Sequence, residues 1–227
     1  MNAVVKDWIP RHRITVDEYY RMAEVGLLPC AGVELIDGLI VDRGGRQHRI
    51  TVDDYYRMAE VGLLAPDARV ELINGEIIDM APMGSRHAAT VTRLDRLLSR
   101  AIGERANMRV QLPVRLGTVC EPEPDLTVVR LRQDDYAKAH PTAYDTLLIV
   151  EVSETSLRVD REIKVPLYAQ YGVPEVWIVD LNTDQVHFFR SPDGGGYADV
   201  FSESKPAVVA LTGLPGVTVD LSGFLRF

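Results

Sequence analysis

EPEPDLTVV at residues 121–129 and LLIVEVSETSLRVDREIK at residues 147–164 decide how this chain folds. The apolar runs 126–129 and 147–152 have the length of β-strands, and each carries one carboxylate. Asp125 stands just before the first run, and Glu151 near the end of the second. LLIVEV is too apolar for an exposed edge, so it predicts an interior strand of a sheet. The following DREIKVPLYAQYG predicts a helix, with Asp160 near its start, Gly172 at its end and Lys164 in its first turn or so.

An acid at the mouth of one strand, an acid on its neighbour and a nearby cation suit the holding of Mg²⁺ against a phosphate. Glu151 carries most of that expectation, because a carboxylate inside LLIVEV is buried at a large cost unless something binds it. Asp125 follows Pro122 and Pro124 and also reads as a turn residue. Most helical lysines are solvated, but the position of Lys164 can bring its ammonium back over the two carboxylates, where it would steady charge on a phosphate.

Upstream, the chain contains a tandem repeat. HRITVDEYYRMAEVGLL at 12–28 recurs as HRITVDDYYRMAEVGLL at 48–64, and VELIDGLI at 33–40 recurs as VELINGEI at 70–77. In each copy a threonine, Thr15 or Thr51, stands three residues before an acid, the pattern of a capping box opening a short helix that ends at Gly26 or Gly62. Asn74-Gly75 between two apolar runs predicts a hairpin. Only the second copy runs on into SRHAATVTRLDRLLSRAIGER, where Ser85 can cap a helix with Ala88, Val91, Leu94, Leu97, Leu98 and Ile102 at helical spacing. Residues 48–227 are therefore expected to form the complete domain. Residues 1–47 are read as an N-terminal extension that packs as an extra helix and hairpin or is poorly ordered.

MRVQLPVRLGTV predicts one or two strands interrupted by Pro113, and VPEVWIVDLNTDQVHFFR predicts a strand, a turn and an antiparallel strand. The whole is an α/β pattern around a mixed sheet. At 227 residues, 46% hydrophobic and 26% charged, the composition is that of a soluble globular protein. No apolar run has membrane-spanning length, MNAVVKDWIPRHR lacks the core of a signal peptide, and Cys30 and Cys120 lack metal-ligand spacing, so the expected compartment is cytoplasmic. A net charge of −8 argues against a general DNA-coating protein.

Glu71 in the second hairpin and His87 at the start of the long helix are weaker candidates, as are Tyr168 and Gln170, which can line the same cleft. The four tyrosines at 19, 20, 55 and 56 read as packing residues rather than a base-stacking platform.

The succession VELINGEIIDMAPMGSRH, EPEPDLTVV, LLIVEVSETSLRVDREIK and LYAQYGVPEVWIVD resembles the restriction-endonuclease family called Uma-two, a branch of the PD-(D/E)XK nuclease superfamily. The resemblance covers about residues 48–200 and implies a restriction-endonuclease-like core with a metal-binding cleft. Asp125 then matches the acid of the PD motif, Glu151 the second acid, Lys164 a lysine displaced onto the following helix, Glu71 the acid of the helix-hairpin region and His87 the Gly-x-x-His segment. Asp125, Glu151, Glu71 and the Val152 carbonyl would bind Mg²⁺ or Mn²⁺, and the substrate would be DNA. Ser153 stands where the superfamily's E-x-K lysine is usual, so either Lys164 substitutes or catalysis is impaired. The competing reading is a catalytically silent nucleic-acid- or protein-binding module. A homodimer would suit a nuclease that cuts both strands, with Val186–Arg190 as a candidate edge strand.

Overall fold

The computed structural model describes residues 8–225, so the first seven residues of the expected N-terminal extension and the last two of the chain lie outside the described residues. The described chain forms two compact units, residues 8–80 with 117–122 and residues 81–116 with 123–225.

In the first unit each repeat copy folds as a short helix followed by a two-stranded hairpin. The elements are α1 (Val16–Glu24), β1 (Val33–Ile36) and β2 (Leu39–Asp42), then α2 (Val52–Glu60), β3 (Val70–Ile73) and β4 (Glu76–Asp79). Thr15 with Glu18 and Thr51 with Asp54 make reciprocal capping boxes, so each helix starts where the hydroxyl and acid satisfy its first backbone donors. The β3–β4 turn has positive φ at Asn74 and Gly75, 52° and 76°, the conformation that a tight hairpin requires. Met22, Leu27 and Ile40 from the first copy and Met58, Leu63, Leu72 and Ile77 from the second share one apolar core.

The second unit is built on a six-stranded mixed sheet, order β10-β9-β8-β7-β6-β5 among the described residues. Its strands are β5 (Ala106–Val110), β6 (Leu126–Arg130), β7 (Thr146–Ser153), β8 (Glu175–Asp180), β9 (Gln185–Asp193) and β10 (Gly196–Glu203). Only the β7–β8 pair is parallel. All eight residues of β7 are buried, as its apolar sequence requires of an interior strand. Leu148, Val150 and Val152 share a core with Val91, Leu94, Leu98 and Ile102 of α3 (Ser85–Ile102). Alternation along the strand turns Ile149, Glu151 and Ser153 to the opposite face. A small hairpin, β11 (Val208–Ala210) and β12 (Thr218–Asp220), completes the unit.

Four local expectations are corrected. Ser85 is the first residue of α3 rather than its cap; Gly84 holds that place, without a side-chain bond, and its carbonyl accepts from the Ala88 N–H. After β5 the chain does not continue as strand, because Gln111 takes a φ of +50° and leaves the sheet. The helix after β7 starts at Leu157 and changes pitch, running as α4 (Leu157–Val159), a π-helical turn (Asp160–Lys164) and α5 (Val165–Gln170). Val186–Arg190 is not an edge: β9 is hydrogen-bonded to β8 on one side and β10 on the other, so the stated basis for a dimer contact falls away. No helix among the described residues is long and apolar enough to cross a membrane.

Candidate active site

The site grows from the register of β6 against β7. Leu126 pairs with Val150 in this antiparallel ladder, so one step further along Asp125 stands across from Glu151. The same argument on the other side, where Val110 pairs with Leu126, sets Gln111 across from Asp125. Two carboxylates far apart in sequence thus reach one end of two neighbouring strands.

Asp125 is held from three directions. One carboxylate oxygen, Oδ2, accepts the Val152 N–H at 2.8 Å and lies 3.1 Å from His87 Nε2, and the other accepts the Gln111 amide at 3.3 Å. A strand residue sends its N–H and C=O to the same side, so the Val152 carbonyl faces this end as well. His87 is in the first turn of α3, its ring mostly buried. Burial alone would depress its pKa, but the hydrogen bond and charge of Asp125, helped by the Val152 backbone and the charge of Glu154, outweigh that and raise it.

Glu151 is on the other face of β7 and only 3% exposed. Its Oε1 accepts the Tyr168 hydroxyl at 2.6 Å and lies 3.3 Å from Lys164 Nζ. Lys164, 5% exposed, also lies 3.9 Å from Oδ1 of Asp160, itself 2% exposed. The other Asp160 oxygen accepts the hydroxyls of Ser153 and Ser156 at 2.7 and 2.6 Å. Lys164 is therefore a buried, paired cation and not a solvated helical lysine.

Of the residues expected from sequence, the second unit holds Asp125, Glu151, Val152, His87 and Lys164, in two groups joined through the adjacent β7 residues Glu151 and Val152. Glu71 belongs to the first unit, where it is buried on β3 and pairs in register with Ile78. Tyr168 does meet Glu151, whereas Gln170 is exposed at the end of α5. Sequence reasoning did not select Gln111, whose place depends on strand register. Asp160 reads from sequence as a helix start, and its i,i+4 spacing to Lys164 is the signal for the pairing.

The donor chemistry fits a hard divalent cation. Among the described residues no three His, Cys, Asp or Glu side chains form a ready-made cage. Mg²⁺ needs none, because it commonly binds through one or two carboxylates and keeps several waters. Asp125, Glu151 and the Val152 carbonyl supply oxygen donors. His87 Nδ1 is buried without a hydrogen-bond partner among the described residues, a group that a bound water would satisfy.

The architecture is that of a nuclease-like fold. A crystal structure from Anabaena variabilis described as "a putative nuclease" superposes with a TM-score of 0.60, covering 78% of this chain and 99% of that one at 18% identity, a likeness of fold. The Uma2 family profile, described as "Putative restriction endonuclease", matches residues 52–222, and the chain belongs to that family. No curated protein matches the sequence.

Proposed function

We propose that this chain is a metal-dependent endonuclease of the PD-(D/E)XK type that hydrolyses phosphodiester bonds of DNA. The observation that carries this reading is the Leu126–Val150 pairing, one step beyond which Asp125 and Glu151 fall at the same end of neighbouring strands, with Lys164 Nζ 3.3 Å from Glu151 Oε1. Asp125, Glu151 and the Val152 carbonyl are the groups that would hold Mg²⁺ or Mn²⁺. The ion, when bound, lowers the pKa of a water and shields the negative charge of the scissile phosphate.

The chain's own residues prepare that place. The Val152 N–H, His87 and Gln111 fix the Asp125 carboxylate, and the Tyr168 hydroxyl fixes Glu151, so neither acid must reorganise to bind. Lys164 Nζ stands 3.3 Å from Glu151 Oε1, from where it would stabilise charge developing on phosphate oxygens. His87, with its raised pKa, adds positive charge beside Asp125 over a wider pH range than an ordinary histidine.

Calorimetric titration with Mg²⁺ and Mn²⁺ tests the reading. The wild type is expected to bind, and Asp125→Asn and Glu151→Gln are each expected to weaken binding at least tenfold. A folded wild type that binds neither ion would instead assign the chain to the silent binding modules.

A further inference from the structure

We propose that Asp160 is a positioning residue for Lys164, and that Ser153, standing where the E-x-K motif carries its lysine, contributes by anchoring Asp160. This rests on the reading of Lys164 as the working cation of the site.

The chain of contacts is continuous and, Ser156 apart, buried. The Ser153 and Ser156 hydroxyls both donate to Oδ2 of Asp160, at 2.7 and 2.6 Å. With that oxygen engaged, Oδ1 is turned to Lys164 Nζ at 3.9 Å, and Nζ reaches Glu151 Oε1 at 3.3 Å. Ser153 and Glu151 lie on the same face of β7, two residues apart, so one strand sets both ends of the relay. The segment Asp160–Lys164 is a π-helical turn, a pitch that is rare and often found at functional sites.

A lysine side chain has four rotatable bonds and a strongly hydrated head, so holding it in a dry place takes more than one partner. Glu151 alone would leave the ammonium with a single carboxylate, which a bound cation would also engage. Asp160, on the helix and fixed by the hydroxyls of Ser153 and Ser156, gives Lys164 a second anchor besides the Glu151 carboxylate. The serine at 153 thereby has a function of its own: the cation comes from the helix, and the strand position holds the group that aims it.

The test compares wild type, Asp160→Asn, Ser153→Ala, Lys164→Ala and Asp160→Asn/Lys164→Ala by Mn²⁺-dependent plasmid cleavage. Acetic-anhydride labelling of Lys164, read by mass spectrometry, runs beside it. Asp160→Asn is expected to lower kcat about 10- to 100-fold, the size of effect a small misplacement produces, with KM and Mn²⁺ affinity unchanged. Ser153→Ala should move the same way by less, and the double variant should cut no more slowly than Lys164→Ala alone. Lys164 should label several-fold faster in both Asp160→Asn and Ser153→Ala. Wild-type kcat in Asp160→Asn, or losses that multiply in the double variant, would overturn the proposal. If wild type cuts no substrate, the nuclease reading fails separately and labelling decides: faster modification upholds the positioning of Lys164, and unchanged modification overturns it. If Asp160→Asn does not fold, Ser153→Ala carries both readouts.

Discussion

The Lys164 ammonium lies 3.3 Å from Glu151 Oε1 although the two residues come from a π-helical turn and an interior strand, and neither is more than 5% exposed. Such a pair is costly to bury and more costly to break. Lys164→Met removes the ammonium that Glu151 and Asp160 share, whereas Glu151→Ala leaves Lys164 with Asp160. Urea unfolding without metal should therefore show the larger loss for Lys164→Met, about 3–5 kcal/mol. A larger loss for Glu151→Ala would contradict this account of the pair.

A second buried acid separates structural from catalytic roles. Glu175, fully buried in β8, accepts from Trp177 Nε1 at 2.8 Å and the Thr212 N–H at 2.7 Å and pairs with Arg190 at 2.8 Å. Each oxygen is satisfied from within the fold. Glu175→Gln is expected to cost about 1–3 kcal/mol in unfolding while leaving Mg²⁺ affinity unchanged. Weakened Mg²⁺ binding in this variant would show that the site extends beyond Asp125 and Glu151.

Two histidines should respond to pH with opposite signs. The pKa of His187 is lowered by burial and the nearby Arg161, with Asp180 opposing, so the fold prefers it neutral. Its contribution is complete above the ordinary histidine pKa, about 6.5, and declines as pH falls through that value. For His87, raised chiefly by Asp125 against burial, the contribution is complete below about 6.5 and lost as pH rises through the folded value. Denaturant unfolding from pH 5 to 8.5 should show the stability difference between wild type and His187→Gln shrinking toward acid, and that for His87→Gln shrinking toward alkali. Parallel pH profiles for the two variants would contradict the assignments.

The backbone of β7 is also closely covered. A Cβ on Gly213 would lie 2.5 Å from the Leu147 carbonyl oxygen and 3.0 Å from its Cα, which side-chain movement cannot relieve. Gly213→Ala is expected to destabilise by about 1–3 kcal/mol in thermal or urea unfolding. A neutral result would mean that this segment yields without cost.

Much of this was legible because single residues impose local geometry. Thr15 with Glu18, Thr51 with Asp54 and Asn74-Gly75 fix helix starts and a turn through contacts three residues apart or fewer. The all-apolar run around Glu151 gave the interior strand, and burial made the acid conspicuous. What stayed hidden depends on distant pairing. Gln111 reads as a strand residue until the β5–β6 register sets it beside Asp125. Val186–Arg190 reads as the second strand of a hairpin with a free side, and only the return of β10 covers it. The break in helical pitch at Asp160–Lys164 is announced only by Pro166, whose missing N–H leaves the Glu162 carbonyl without its usual helical donor, and it is the segment that holds Lys164 against Glu151.

The most direct test of the central claim is cleavage of supercoiled plasmid, linear duplex and single-stranded DNA with and without Mg²⁺ or Mn²⁺, by wild type, Asp125→Asn, Glu151→Gln and Lys164→Ala. The arrangement of Asp125, Glu151 and Lys164 predicts metal-dependent cutting by wild type, reduced about 10²-fold or more in each variant. Cutting that persists at the wild-type rate in Glu151→Gln, or that needs no metal, would contradict it.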